Sequence, residues 1–565
     1  MKGKTILAVG ILFMALLFMA THLPSAMAKE ASPKYGGTIT ISGTGAEKSF
    51  KPAAIQAAGY NNMILEQLVI GDITVPESKW KFFGNTLPEQ YSRGHLAESW
   101  EIPDNATLIF HLRKGIHWQN KPPVNGREFV ADDVVYSYKY YADPKNNSGM
   151  PIILGNLKSI KALDKYTVEF KFDPPTVDMW WGATGERQLI FAPEEQKQFG
   201  EMTDLMTRVG TGPWMIKEAV PGTSFTYVKN PDYWGTDPRF PGNRLPYADT
   251  VKHLIIRDPA TQIAALRVGK IDAIWQRPWV TWNKAEEIMK TNPELKHRQI
   301  FFQRMVYYAL KNDVAPFSDI RVRKALSMAI DRQAIVNDYY KGHAYMGTVP
   351  FTNGWNDLFT PVEKLPEAIR ELYDFNPEKA KKLLAEAGYP QGFKCELDVP
   401  SLDQDYQNIA QLTKGWLADI GVDVKINVLE RGPFVSALLR HNYKNMISWH
   451  MGTDTPLLAI SNFRDIGGKP NMYNWCRVND PAYNQMVDKI AQTFDYDSRT
   501  KLLKEIDLYI KSQVWEISMP LSSFYIFWQP WIEGYWGQVG LSFVSSGDMY
   551  KYWWIDQDLK SKMGK

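Results

Sequence analysis

The chain is short of the residues that build catalytic and metal centres. Cysteine is nearly absent: Cys395 and Cys476 are the only two in 565 residues. Two thiols exclude a disulfide framework, and their positions leave open whether they pair in an oxidising compartment. An excess of one charge is lacking too. There are 65 Lys and Arg against 62 Asp and Glu, a net charge of +3, with no long basic run to hold nucleic acid. Beyond the N terminus no stretch approaches the roughly 18 apolar residues of a membrane span. Gly-x-Ser-x-Gly, His-Glu-x-x-His and Gly-x-x-x-x-Gly-Lys-Ser/Thr are all missing. The nine histidines are scattered, and His441 and His450, nine residues apart, do not have a metal-ligand spacing on a helix. Repeats and low-complexity segments are absent. No metal, no cofactor and no catalysis are therefore expected. A hydrolase is the rival class, but it would need a nucleophile, base and orienting group, or a metal, that no motif supplies.

What is present begins with a secretory signal over residues 1–28. Lys2 and Lys4 give the positive start, residues 6–20 are apolar, and Ala26-Met27-Ala28 is a small-x-small cleavage site. With no cysteine beside that site, a lipid anchor is not expected, and the protein is read as periplasmic. The remaining 537 residues carry a net charge of +1 and are too many for one core, so two or three domains are expected. Aromatic residues make up 13%, with 20 Trp, which leaves material for a stacking pocket.

Residues 96–141 carry the clearest pattern. Leu108, Phe110 and Leu112 alternate with Ile109, His111 and Arg113, which predicts a strand packed on a core. Lys114-Gly115 ends it. Asn125-Gly126 closes a loop, and Ala131-Asp132-Asp133 opens a helix with acids in its first turn. A first strand is read over residues 35–42, a helix over 60–68, and a hairpin over 158–172. A helix capped at Ser318 or Asp319 is predicted to bury Val322, Ala325, Leu326 and Ala329. Another runs over 376–387 and stops at Gly388, and a strand begins near Val422. Helix-strand alternation of this kind gives an α/β class.

The wording of these blocks is more specific than their periodicity. Leu96-Ala97-Glu98-Ser99-Trp100-Glu101 leading to Ala131-Asp132-Asp133-Val134-Val135-Tyr136-Ser137-Tyr138 resembles the signature of the family 5 bacterial extracellular solute-binding proteins. So do Gly210-Thr211-Gly212-Pro213-Trp214, Asn230-Pro231-Asp232-Tyr233-Trp234-Gly235 and the block from Pro316 to Arg332. The likeness covers nearly the whole chain after the signal. Val130 departs from it, standing where relatives have a Thr or Ser helix cap, as does the His117-Trp118 pair.

The resemblance implies an α/β, two-lobed periplasmic binding protein fold with a hinge and an extra subdomain in the first lobe. The boundaries expected are 1–28 for the signal, 29–302 for the first lobe with its two subdomains, 303–524 for the second lobe, and 525–565 for the return to the first. It implies a monomer that captures a small solute in an interlobe cleft and delivers it to a membrane ABC permease. A peptide is the first ligand expected, then an oligosaccharide, then a metal chelate. Trp449 matches the family tryptophan that contacts ligand. Peptide-binding members carry an aspartate three residues later for the ligand's α-ammonium. Here that position is Gly452, and the nearest acid is Asp454. His450, Arg464, Tyr473, Trp475 and, from the first lobe, Trp118 complete the expected ligand-binding set.

Overall fold

The computed structural model describes residues 32–45, 49–54, 57–82, 87–146, 156–185, 188–274, 280–301, 304–355, 357–401, 404–452, 455–465, 471–541 and 547–565. An eight-stranded mixed sheet forms the base of the first lobe. Its centre is the strand Thr38–Gly43, parallel to both Thr250–Ile255 and Ala273–Ile274. A separate four-stranded antiparallel sheet, built from residues 97–172, carries the extra subdomain. The second lobe is a five-stranded sheet in the order Val422–Leu429, Phe393–Pro400, Met446–Gly452, Arg304–Leu310 and Glu516–Ser518.

Alternation fixes the subdomain sheet. In Thr107–Leu112 the side chains of Leu108, Phe110 and Leu112 are buried while Ile109 and His111 are half exposed. The turn before it is closed by Asp104, whose carboxylate accepts from the Ala106 N–H and the Thr107 hydroxyl. The helix Ala131–Ala142 lies across this sheet. Valine cannot cap it, and Asp133 does part of that work from inside the helix. Its Oδ2 accepts the Val130 N–H at 3.0 Å, and Arg127 pairs with both carboxylate oxygens.

The helix predicted over residues 60–68 is a correction. Only Ala58–Asn61 is helical, Glu66 bridges to Ile190, and Val69–Gly71 is a strand. The cause is tertiary. The Ile64 carbonyl is taken by the Gly212 N–H at 2.9 Å, and a Cβ on Gly210 or Gly212 would collide with that carbonyl. Backbone packed this closely claims the acceptor a helix would use.

The turn out of that helix leads to a buried polar knot. Glu66 accepts from the Tyr233 hydroxyl, the Thr211 hydroxyl and the Trp234 indole N–H. His95 Nε2 lies 2.9 Å from Glu66 and 3.2 Å from Lys551 Nζ, which ties the C-terminal segment to the start of the lobe.

The chain passes between the two large sheets twice. Lys296–Ile300 pairs in the first sheet and the next strand, Arg304–Leu310, in the second. On return, Glu516–Ser518 pairs with Arg304–Leu310, and Phe524–Trp528 pairs with Lys296–Ile300. The two passages therefore run side by side. The two cores of the second lobe draw all their fully buried members from residues 307–521. Cys395 and Cys476 are buried and unpaired, one in each of those cores.

Candidate functional site

Between the extra subdomain and the second lobe lies a cavity of about 290 Å³. From the first lobe its walls include Trp80, Tyr91, Ile102, Asp178, Trp180 and Trp181; from the second, Trp355, Asp357, Leu457, Tyr496 and Arg499. Four tryptophans, Trp80, Trp180, Trp181 and Trp355, stand in the lining. Among its described lining residues the charges are three carboxylates, Glu89, Asp178 and Asp357, and one guanidinium, Arg499.

Local structure sets each of these groups. Asp178 precedes the short helix Met179–Thr184 and leaves it uncapped. Its Oδ2 instead accepts from the Thr455 hydroxyl at 2.8 Å, across the gap between lobes. Thr455 is the cap of Pro456–Ser461, so its oxygen accepts the Leu458 N–H while its proton goes to Asp178. Arg499 stands in the first turn of the long helix Tyr496–Gln513, and its Nη1 donates to the carbonyls of Thr493 and Phe494. Burial pushes the Asp178 carboxyl up to about 6, against the pull of the Thr455 hydroxyl and the Arg499 charge. Burial also lowers the Arg499 guanidinium. Tyr496 makes a second contact across the gap. It accepts from the Gln90 side chain at 3.3 Å and donates to Asp357 at 3.1 Å. Trp180 is held by its indole N–H on the Leu87 carbonyl and by Trp100, 5.0 Å between ring centres.

Among the described residues, none of those expected from sequence lines this cavity. Trp118 lies in the subdomain core, 2% exposed, and its indole N–H donates to Asp133. Trp449, Tyr473 and Trp475 are brought together on one second-lobe core. Trp449 is half-buried, with its ring 5.2 Å from Phe434 and stacked on His450 at 4.2 Å. His450 Nδ1 is in hydrogen-bond contact with the Tyr406 hydroxyl. Trp475 is buried, and Tyr473 packs edge-on against it. Arg464 is committed to Asp488 at 2.6 Å and to the Asn484 carbonyl. Gly452 ends its strand opposite Arg304. Asp454 lies outside the described residues, immediately before the cavity residue Thr455. Sequence reading missed Asp178, Trp180, Trp355, Tyr496 and Arg499. The Asp178-Met179-Trp180-Trp181 run was the one local signal, an acid beside paired indoles.

Two α/β lobes joined by paired crossings, with an aromatic cavity between them, define a two-lobed solute-binding protein. The chain belongs to the bacterial extracellular solute-binding proteins, family 5, whose family model matches residues 93–469. It is 27% identical over 469 residues to heme-binding protein A of Haemophilus influenzae, covering 78% of this chain and 81% of that one. It is 24% identical over 452 residues to the dipeptide-binding protein of Escherichia coli, covering 74% and 78%. The solved structure of HbpA2 from Haemophilus parasuis superposes with a TM-score of 0.76 at 22% identity, covering 92% of this chain and 100% of that one.

Proposed function

We propose that this protein captures a short peptide between its lobes, outside the cytoplasmic membrane, and delivers it to an ABC-type permease. The observation that carries this reading is a cavity whose walls come from both lobes. A solute that touches both lobes binds the closed form better than the open one, and only such a difference can drive closure. A peptide suits the lining. Aromatic faces supply area for side chains, and a zwitterion meets charges of both signs at Asp178, Asp357 and Arg499. The likeness to a dipeptide-binding protein supports the same class. Trp449, His450 and Gly452 precede the cavity residue Thr455 in the chain, and we place these three at the rim of the site. On this reading residues 1–28 are removed on export, 29–302 and 525–565 make the first lobe, 303–524 make the second, and the protein acts as a monomer.

A second reading, haem, is favoured by the tryptophan-rich wall and by the likeness to heme-binding protein A. Native mass spectrometry of the protein as it co-purifies, followed by calorimetry with di- and tripeptides and with haemin, separates the two. Peptide adducts and micromolar or tighter peptide binding are expected. Haemin or an oligosaccharide as the co-purifying ligand, with no peptide binding, overturns the peptide reading.

A further inference from the structure

We propose that Asp178 is the seat for a cationic group of the solute, a primary or substituted ammonium carried on an apolar body. The inference rests on the reading of the interlobe cavity as the solute site, but it does not require the solute to be a peptide.

The argument begins with what the carboxylate lacks. An ionised carboxylate offers about four acceptor positions. Among the described residues Asp178 receives one side-chain hydrogen bond, from Thr455. Arg499, the one cation among the described lining residues, acts on it through space while its Nη1 is spent on the Thr493 and Phe494 carbonyls. A charge withdrawn from water and incompletely partnered is costly, and a cation that enters beside it relieves that cost. The other two acids of the lining each accept one side-chain hydrogen bond as well, but they are exposed to solvent while Asp178 is half-buried. Glu89 accepts the Trp100 indole N–H at 2.8 Å, and Asp357 accepts the Tyr496 hydroxyl.

The walls suit the rest of such a ligand. Trp180 and Trp181 follow Asp178 in the chain, and Trp355 faces the same cavity from the second lobe. Indole faces attract a cation and accept apolar surface. The position also couples capture to closure. Thr455, which holds Oδ2, belongs to the second lobe, so a cation bound at Asp178 binds the form in which the lobes meet.

The groups that face Asp178 are Thr455 from the 456–461 helix and Arg499 from the 496–513 helix, with Glu89, Tyr91, Asp357 and Tyr496 elsewhere in the lining. Of these carboxylates, the one raised by burial to about 6 is Asp178 itself. A cation needs the ionised form. Affinity for the protonated amine should therefore hold steady from about pH 7 to about 6.5 and weaken by about tenfold per unit below the carboxyl's own titration.

The test uses the full chain and two probe pairs: the dipeptide Leu-Leu with N-acetyl-Leu-Leu, and phenethylamine with 2-phenylethanol. Affinities are measured by calorimetry or ligand-observed NMR for the wild type, Asp178→Asn and Asp357→Asn. Asparagine keeps the shape of the side chain, and ligand-free melting curves check that each variant folds. We expect at least one amine to bind tenfold or more tighter than its neutral twin. That preference should be lost in Asp178→Asn, and for the wild type it should shrink between pH 6.5 and 5. Equal binding of both twins, binding of neither amine, or a preference lost in Asp357→Asn but kept in Asp178→Asn overturns the assignment. Trp355→Ala separates this failure from failure of the site itself. If haemin or another solute binds the wild type and weakens in Trp355→Ala, the cavity stands and only the seat falls. If no solute responds to Trp355→Ala, the cavity is not the site.

Discussion

Two residues show how far identity and environment can diverge. Trp449 is where the resemblance puts a ligand contact, yet its ring rests on Phe434 and His450 at the edge of a core. Truncating a half-buried ring that packs this way should cost about 2–3 kcal/mol, below the range for a fully buried tryptophan. Urea unfolding of ligand-free Trp449→Ala is the measurement, and an unchanged midpoint would return the side chain to the cleft. His95 is the second. Burial first, and then the Lys551 charge, depress its imidazole to about 4, so at neutral pH it is uncharged and Lys551 is the cation that faces Glu66. The sign follows from proton counting. Between about pH 6.5 and 4 the unfolded chain binds a proton at this histidine that the folded chain refuses, so stability falls as pH falls through that window. Melting temperatures from pH 7.5 to 4.5 should drop in the wild type and drop less in His95→Gln.

At the scale of elements, local pattern was sufficient where local contacts decide. Residues 96–141 gave a strand, a loop and a helix start because one face of period two and one acidic first turn are local properties. The missing cap at Val130 was legible too; its remedy was not, because Asp133 supplies it only once Arg127 has folded back on it. Val130→Thr should therefore add a side-chain acceptor at an extended cap position. A gain of about 0.5–1 kcal/mol is expected, readable as a rise in melting temperature. Residues 60–68 failed for the opposite reason. Their apolar spacing is helical, but Gly212, far along the chain, takes the carbonyl at Ile64, and Gly210 packs close against it. The cavity was illegible in the same sense. Trp80, Asp178, Trp355 and Arg499 come from four distant segments, and no window of sequence holds two of those four.

For the whole molecule, a ligand that bridges Asp178 and Thr455 should stabilise and compact it together. At a hundredfold excess over Kd the gain is about 2.7 kcal/mol, and small-angle scattering should record a smaller radius of gyration. A higher melting temperature without compaction would mean that the lobes already sit closed in solution.

The side-by-side crossings have one more consequence. Because Tyr307 pairs with Ser518 and Tyr308 with Ile517, the chain enters and leaves the second lobe through neighbouring strands, about 5 Å apart by ordinary sheet spacing. All the fully buried residues of its two cores lie within residues 307–521. The second lobe thus has the anatomy of a cassette, a stretch whose ends are already stitched together and whose fully buried core residues are its own, with Trp282 among the host side chains resting on them. Cut out as residues 304–521, it should fold and melt cooperatively as a free-standing protein. The donor, closed across the gap with a short linker, should keep its own sheet.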